Sequence, residues 1–456
     1  MGNKIKKFLL LLGDISSLYL SLYLTLFLRY STKLNVELWQ LHFLPFTLIF
    51  IIWIVIFYVS ELYNLNFAVN NRRFYGLSFR SFFIGGLISI LFFYLLPQTQ
   101  ITPKTNLALF VGIFAIIFFM WRNLFNLSIK SWFPKENLMI IGYNEQTKEL
   151  ISEIDSKPHL GFKISFILIS HKQNVQLPNK IETCVFNNIN GLKKMISDKK
   201  ITTLILANDP IHSEELSSIL FNCLSLRVNF INLPTFYENI TGKVPIDIIN
   251  RIWFLENLTE GKKRLFDFFK RISDILMSSI ILLVSFPFWM IIALIIKSES
   301  KGKVFFKQIR AGKNAAEFTI IKFRSMKMES NDFSPTQKDD DRITKFGSFL
   351  RKTRIDEIPQ IINVLKGEMS FVGPRPERSE LIIELEKNIP FYKERMLIKP
   401  GITGWDQVST GYHSPSYEDT IEKLQYDLYY IKNRSVYLDI SIILKTFSTI
   451  LSKSGR

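Results

Sequence analysis

Residues 341–377 read DRITKFGSFLRKTRIDEIPQIINVLKGEMSFVGPRPE. Basic residues come first, Arg342, Lys345, Arg351, Lys352 and Arg354, and an adjacent carboxylate pair, Asp356 and Glu357, follows. Pro359 then opens an apolar run, Ile361, Ile362, Val364 and Leu365, which stops at Gly367. Proline is tolerated in the first turn of a helix and glycine commonly ends one. This predicts a short helix with Asp356 and Glu357 at its N-terminus. The helix dipole and the free N–H groups there favour an ionised carboxylate and attract phosphate. A carboxylate kept anionic beside arginines suits nucleophilic attack on phosphorus, with the arginines neutralising the phosphate oxygens. A carboxylate pair at a helix start also serves simply as a cap, and the neighbouring segments decide between the two readings.

Working outward, Lys322, Phe323 and Arg324 end a strand-like piece, EFTIIKFRSM. A basic pair flanking an aromatic suits a nucleotide diphosphate. Gly373, Pro374, Arg375 and Pro376 form a rigid turn that displays Arg375. PGITGW at 400–405 is a second turn, whose Trp405 either stacks on a base or simply packs.

Taken together, these strings resemble the signature of the bacterial sugar transferase family, the polyprenyl-phosphate hexose-1-phosphate transferases that start lipid-linked glycan assembly. The matching segments are Lys270, Arg271 and Asp274, then VFFKQIRAG at 304–312, KFRSM at 322–326, DRITKFGSFLRKT at 341–353, DEIPQIINVLKGEMSFVGPRPE at 356–377, and KPGITGW with Gln407. They keep the family's order over the last two-fifths of the chain. The resemblance implies a UDP-sugar donor and undecaprenyl phosphate as acceptor. It implies that Asp356 attacks the β-phosphorus and expels UMP, while Glu357 helps bind Mg²⁺. Lys322, Arg324, Arg342, Arg351, Pro374, Arg375, Trp405 and Gln407 are the expected substrate contacts. Two departures stand out: Arg354-Ile355 replaces the usual Ser-Leu before the carboxylates, and Asp406 replaces the usual Ala after Gly-Trp.

The 456 residues predict two to four structural units. Their formal charge of +17 fits nucleic acid, an anionic membrane face or anionic substrates. No zinc spacing and no nucleic-acid-binding motif is present, so nucleic acid is not expected and membrane lipid and phosphate lead. Cys184 and Cys223 read as buried small residues rather than a disulfide or metal site. The first apolar run lacks a small-residue cleavage site, and no secretory signal is expected.

Apolar runs at 8–28, 41–60, 81–96 and 107–125 are near the roughly 20 residues that cross a bilayer. Lys4, Lys6 and Lys7, then Arg72, Arg73 and Arg80, then Arg122, Lys130 and Lys135 mark the cytoplasmic flanks. Asp14 lies inside the first run, as a functional ionisable group or as one that reaches the interface or a neighbouring helix. From 137 onward, strand-like LMIIGYN, KISFILIS, TTLILAND and RVNFINLP alternate with helical EQTKELISEI, GLKKMISDKK and SEELSSILFNCLSL. That alternation predicts a doubly wound parallel sheet. GYNEQT at 142–147 keeps one glycine of the dinucleotide fingerprint, so a structural or regulatory role is expected instead of dinucleotide binding.

The apolar run at 275–296 has basic residues on both sides, Lys262, Lys263, Arg264, Lys270 and Arg271 before it and Lys297, Lys301, Lys303 and Lys307 after it. Pro287 lies near its middle, behind Ser285. A helix–break–helix that enters and leaves the cytoplasmic leaflet suits both flanks, and the family is known for such a re-entrant helix with a Ser-x-Pro bend. A Pro-kinked spanning helix is the alternative. The stripe Val436, Leu438, Ile440, Ile443, Leu444, Phe447 and Leu451 suits core or membrane-interface packing.

The expected chain is therefore a multi-pass protein of the bacterial cytoplasmic membrane, mixing α with α/β. It has a four-helix transmembrane bundle at 1–130, a Rossmann-like cytoplasmic domain at 131–250, an interfacial segment with the re-entrant helix at 251–297, and a mostly helical cytoplasmic catalytic domain at 298–456. Lys270, Arg271, Ser285 and Pro287 are its expected lipid-side residues, and a homodimer is left open. The rival readings are a non-catalytic membrane sensor, which would be expected to lose Asp356 or Glu357, and an oxidoreductase, which needs a glycine loop and a Tyr-x-x-x-Lys pair.

Overall fold

The computed structural model describes residues 2–31, 35–63, 72–95, 103–132, 135–157, 160–169, 181–185, 191–207, 214–258, 263–327, 340–410 and 416–451. Two units divide the chain, Met1–Leu233 and Pro234–Arg456.

The first unit opens with four long apolar helices, α1 (Gly2–Tyr30), α2 (Val36–Val59), α3 (Arg72–Leu95) and α4 (Pro103–Trp132). Each contains a segment long and apolar enough to cross a membrane. Their shared core is aromatic, with Phe46, Trp53, Phe57, Phe110, Phe114 and Phe118 buried together. Trp53 sits edge-on to Phe57 and Phe114 with centroids 5.8 and 5.3 Å away, the arrangement that ring quadrupoles favour. Apolar side chains such as Leu28, Phe79, Phe83, Tyr94, Ile116 and Leu127 face outward. Asp14 meets a neighbouring helix, where Arg122 Nη2 donates to it at 2.6 Å with both side chains buried. Ser17, Ser21 and Thr25 satisfy their hydroxyls on carbonyls one turn back.

The remainder of this unit is a five-stranded, all-parallel sheet. It alternates β1 (Glu136–Ile141), α5 (Glu145–Ser156), β2 (Phe162–Ile169), β3 (Glu182–Val185), α6 (Leu192–Asp198), β4 (Thr203–Leu206), α7 (Glu214–Cys223) and β5 (Asn229–Asn232). The strand order β3-β2-β1-β4-β5 is that of a doubly wound sheet. The sequence pattern missed β3, whose ETCV carries no apolar run. Gly142 turns the chain at φ +97°, and Asn144 with Thr147 forms the box that caps α5. Cys223 is buried and free, while the side chain of Cys184 lies outside the described residues.

The second unit begins earlier than the sequence indicates. The sheet domain was expected to reach about 250, yet Val244, Ile246 and Ile249 are buried in the core of the second unit with Val372, Ile389, Leu424 and Leu428. Its elements are α8 (Leu233–Thr241, at the junction), α9 (Arg251–Asn257), α10 (Arg264–Glu299), the antiparallel hairpin of β6 (Phe305–Ala311) and β7 (Glu317–Phe323), α11 (Lys345–Lys352), α12 (Ile361–Lys366), β8 (Ser370–Val372), α13 (Ser379–Asn388), β9 (Gly401–Thr403), α14 (Trp405–Ser409), α15 (Tyr417–Asn433) and α16 (Val436–Leu451). β8 and β9 pair in parallel. A Cβ on Gly401 would lie 2.1 Å from the Gly373 nitrogen, so both positions must be bare for the two turns to meet.

α10 runs unbroken through Pro287, where the sequence predicted a break. Proline there removes one N–H, the one that would bond the Leu283 carbonyl. The turns on either side hold the helix together, and Ser285 Oγ accepts a bond from Trp289 Nε1 at 3.1 Å. The middle of α10 is exposed and apolar: Leu276, Ile280, Leu283, Val284, Phe286, Phe288 and Met290. Both of its ends bond to the same unit. Near the start, Arg271 donates to the Val364 and Leu365 carbonyls, and Asp274 accepts from the Phe371 N–H. Lys270 pairs with Asp439 of α16. At the far end Glu299 accepts from the Phe346 N–H, and Arg324 donates to the carbonyls of Ile296, Ser300 and Lys301.

Candidate active site

Asp356 and Glu357 sit in a 3-10 turn, Ile355–Gln360, directly before α12. The sequence placed them at the start of the helix itself. Arg354 enters this turn in the left-handed region, φ +59°, a conformation an arginine adopts only at a cost. Gly367 closes α12 at φ +85°, as a C-cap glycine does. Asn363, fully buried, ties the helix to β7 by donating to the Thr319 carbonyl and accepting from the Ile321 N–H. That brings the turn against the end of the hairpin, where Lys322 lies.

Both carboxylates are buried, Asp356 9% and Glu357 7% exposed, and their surroundings differ. Glu357 Oε1 accepts from Lys322 Nζ and from Arg375 Nη2, each at 2.9 Å, and Arg354 Nη1 stands 3.9 Å from Oε2. Burial pushes Glu357 up, but Arg375, Lys322 and Arg354 outweigh it and hold the carboxyl well below the usual range. Among the described residues no ion pair closes on Asp356. Burial and the Glu357 charge raise it to about 6, against the pull of Lys322, Arg351 and Arg375. Lys322 is lowered by burial although Glu357 opposes this, and Arg375 is raised by Glu357. Two adjacent acids thus have opposite tendencies, one fixed as an anion and the other poised to exist in either form.

The remaining expected contacts divide. Arg351 comes from α11, donates to Ser325 Oγ at 2.9 Å, and acts on Asp356 through its charge. Pro374 lines a pocket beside Arg375 and accepts from the Gly401 N–H. Arg342 is bidentate to Asp340. Arg324, expected on phosphate, is buried at the carboxy end of α10, because β7 stops at Phe323 and the guanidinium turns toward the carbonyls there. Trp405 packs: its indole N–H donates to the Gly242 carbonyl, Tyr429 stacks on it, and Lys445 lies 4.6 Å from the ring centroid. Gln407 Oε1 accepts from the Gly404 N–H, capping α14. Asp406, the departure from the family pattern, is buried 5% exposed on that same helix. Lys270, Arg271 and Ser285 serve α10 as described above.

No cluster of three or more metal-ligating side chains occurs among the described residues. Mg²⁺ rarely needs one, since it takes one or two carboxylates and completes its octahedron with phosphate oxygens and water. The Asp356–Glu357 pair is a hard-oxygen donor set of that kind. Glu357 Oε1 is already shared by two cations, so Oε2 is the oxygen left for an ion.

Residues 265–453 match the family described as bacterial sugar transferase. The chain is 40% identical over 243 residues to a UDP-N-acetylgalactosamine-undecaprenyl-phosphate N-acetylgalactosaminephosphotransferase of Aeromonas hydrophila, covering 53% of this chain and 56% of that one. It is 44% identical over 339 residues to a UDP-glucose:undecaprenyl-phosphate glucose-1-phosphate transferase of Escherichia coli K12, covering 71% of this chain and 69% of that one. A third relative, the exopolysaccharide production protein PSS of Rhizobium leguminosarum, is 40% identical, and 96% of its length is matched by 41% of this chain. The match spans only 39% of a Xanthomonas campestris glucose-1-phosphate transferase. With Lys322, Arg351 and Arg375 around one buried carboxylate pair, and a 44% identical relative covered over 69% of its length, the chain belongs to the bacterial sugar transferase family.

Proposed function

We propose that this chain transfers a sugar-1-phosphate from a UDP-sugar to undecaprenyl phosphate, releasing UMP, as the first membrane step in building an exopolysaccharide, capsule or O-antigen. The observation that carries this is the opposed pair of carboxylates. A carboxylate of raised pKa is a better nucleophile than an ordinary one, and at neutral pH Asp356 is still mostly ionised. Its oxygen bonds to the β-phosphorus as the bond from that phosphorus to the bridging oxygen breaks, and UMP leaves with that oxygen. The phosphosugar is then held as an aspartyl phosphate. An oxygen of the lipid phosphate attacks the same phosphorus, the Asp356 bond breaks, and the lipid-linked diphosphate sugar leaves. Lys322, Arg351 and Arg375 surround Asp356 and spread the phosphoryl charge. Glu357, kept anionic, holds Lys322 and Arg375 in place and offers Oε2 to Mg²⁺. Mg²⁺ held there would supply Lewis-acid stabilisation of the leaving nucleotide.

The membrane reading follows from α10. A straight helix would separate Asp274 from Ile296 by about 33 Å, roughly the hydrocarbon thickness. A crossing would carry the two ends to opposite faces, yet both bond to one unit. This supports a helix that enters and leaves the cytoplasmic leaflet without crossing it, with its exposed apolar middle in lipid. The basic flanks of the four N-terminal helices support a transmembrane bundle with the catalytic unit on the cytoplasmic face. The decisive assay incubates the purified chain in nanodiscs with undecaprenyl phosphate, Mg²⁺ and a panel of UDP-sugars. UMP is the expected product; UDP in its place would make this a glycosyltransferase and overturn the assignment.

A further inference from the structure

Arg375 meets Glu357 because the turn that carries it is held, and that turn cannot hold itself. Pro374 and Pro376 have no N–H to donate. All four carbonyls of residues 374–377 nevertheless receive a donor from elsewhere in the unit. Gly401 N–H donates to Pro374 at 2.9 Å and Ala311 N–H to Glu377 at 3.0 Å. The two carbonyls between them are taken by arginine side chains: Arg395 Nη2 donates to Arg375 at 3.0 Å and Arg310 Nη1 to Pro376 at 3.1 Å.

Arg395 is itself tightly fixed. Its side chain is 4% exposed, its Nη2 and Nε both donate to Oδ2 of Asp427 on α15 at 2.7 and 3.1 Å, and its Nη1 donates to Tyr392 Oη at 2.7 Å. Glu377 lies 3.7 Å from Arg395 and also pairs with Lys423 and, at 4.0 Å, with Arg310. A buried arginine of this kind costs desolvation that ion pairing barely repays. The forked guanidinium joins a helix to a proline turn in one geometry, and a lysine has no such fork.

We propose that Arg395, oriented by Asp427, and Arg310 are positioning residues for phosphoryl transfer: they clamp the Pro374–Glu377 carbonyls so that the Arg375 guanidinium stays on Glu357 and beside Asp356. This rests on the transferase reading above. Neither residue is placed against substrate. Both act through Arg375, and misplacement of a charged group by about 1 Å costs up to ~100-fold in rate.

The test uses the full chain in nanodiscs and compares Arg395→Lys, Arg310→Gln and Arg375→Lys with wild type. It reads UMP release as kcat/KM together with Tm, and adds the double variant Arg395→Lys with Arg375→Lys. A residue that acts through Arg375 loses its effect once Arg375 is replaced. The expected result for Arg395→Lys is a fall of about 10- to 100-fold, with little further fall when it is added to Arg375→Lys. Arg310→Gln should show the same pattern more weakly, and it is the scored variant if Arg395→Lys does not fold. An equal fall in both backgrounds, or one matched by a proportionate loss of Tm, would mean a merely structural role and overturn the proposal, as would no change at all. No UMP release by wild type from any UDP-sugar would instead refute the transferase reading, and this role with it.

Discussion

Asp356→Asn should kill the enzyme and stabilise the protein. Burial and the neighbouring Glu357 raise Asp356 from 3.8 to about 6 in the folded chain. An acid raised on folding is ionised at a cost at neutral pH. The shift of roughly two units, at about 1.4 kcal/mol each, makes that cost about 3 kcal/mol. The sign follows from proton binding. Between pH 4 and 6 the folded state holds the proton that the unfolded state has released, so stability falls as pH rises through this window and stays low above it. Asparagine has no charge to desolvate and removes the repulsion with Glu357. For a unit of about 220 residues the gain corresponds to roughly 6–12 °C in Tm. The assay is thermal unfolding of wild type and variant in nanodiscs from pH 4 to 8, run beside UMP release. The difference in Tm should be full above about pH 6 and vanish toward pH 4, while turnover is lost throughout and no phosphosugar adduct appears by intact mass. A Tm advantage that is absent, or constant with pH, would refute the electrostatic account of the site. Near-normal turnover would refute the nucleophile.

On the proposed mechanism only ionised Asp356 attacks, so in wild type kcat/KM should fall tenfold per pH unit below about 6; Arg351→Gln removes a cation that lowers Asp356, so its limb should move to higher pH, and a downward move would contradict the assigned geometry. The sheet domain, with Gly142 alone in its turn and Asn144 spent on capping α5, should bind no NAD(P) tightly; calorimetry showing micromolar affinity would contradict this. Ser273 and Ser298 are exposed near opposite ends of α10. As single cysteines in a background without Cys184 and Cys223, both should label from the cytoplasmic side only; labelling of position 298 from outside intact cells would sink the re-entrant reading.

The legible parts of this chain were those written in local pattern. Long apolar runs gave the four N-terminal helices, and period changes gave four of the strands, while β3 was invisible because ETCV has neither apolar alternation nor length. Val244, Ile246 and Ile249 looked like the tail of the sheet domain, and nothing local says that their partners are Val372 and Leu424. In the site, the adjacency of Asp356 and Glu357 and the turn displaying Arg375 were readable. The state of Asp356 was not. A helix dipole suggested an anion, whereas burial and Glu357 dominate in the fold. The sequence does not show that β7 ends one residue before Arg324, which turns its guanidinium toward the carbonyls at the end of α10. Trp405, read as stacking on a base or packing, packs in this fold, and Gln407, expected on substrate, caps α14 through Oε1. Arg395 and Asp427 lie far along the chain from the turn they serve, so no motif spacing marks them.

The contacts of α10 tie both ends of a long apolar helix to the carboxylate site, which on the proposed function joins a membrane helix to a nucleotide site. Arg271 bonds the last carbonyls of α12, and the carboxylate turn leads straight into that helix. Arg324 bonds the other end of α10, and Lys322, two residues before it, holds Glu357. Each end of α10 is therefore one short element from the carboxylates. Charge-assisted bonds of this kind contribute about 1.5–3 kcal/mol apiece, and both ends carry them. On the re-entrant reading proposed above, the depth at which the exposed apolar middle of α10 rests in lipid would set the height of Asp356 above the bilayer. A flexible tether would leave that height to chance, with effective concentrations near millimolar. The proposed lipid phosphate and nucleotide would need one fixed height to reach the same carboxylate in turn, and the two anchored ends of α10 would supply it.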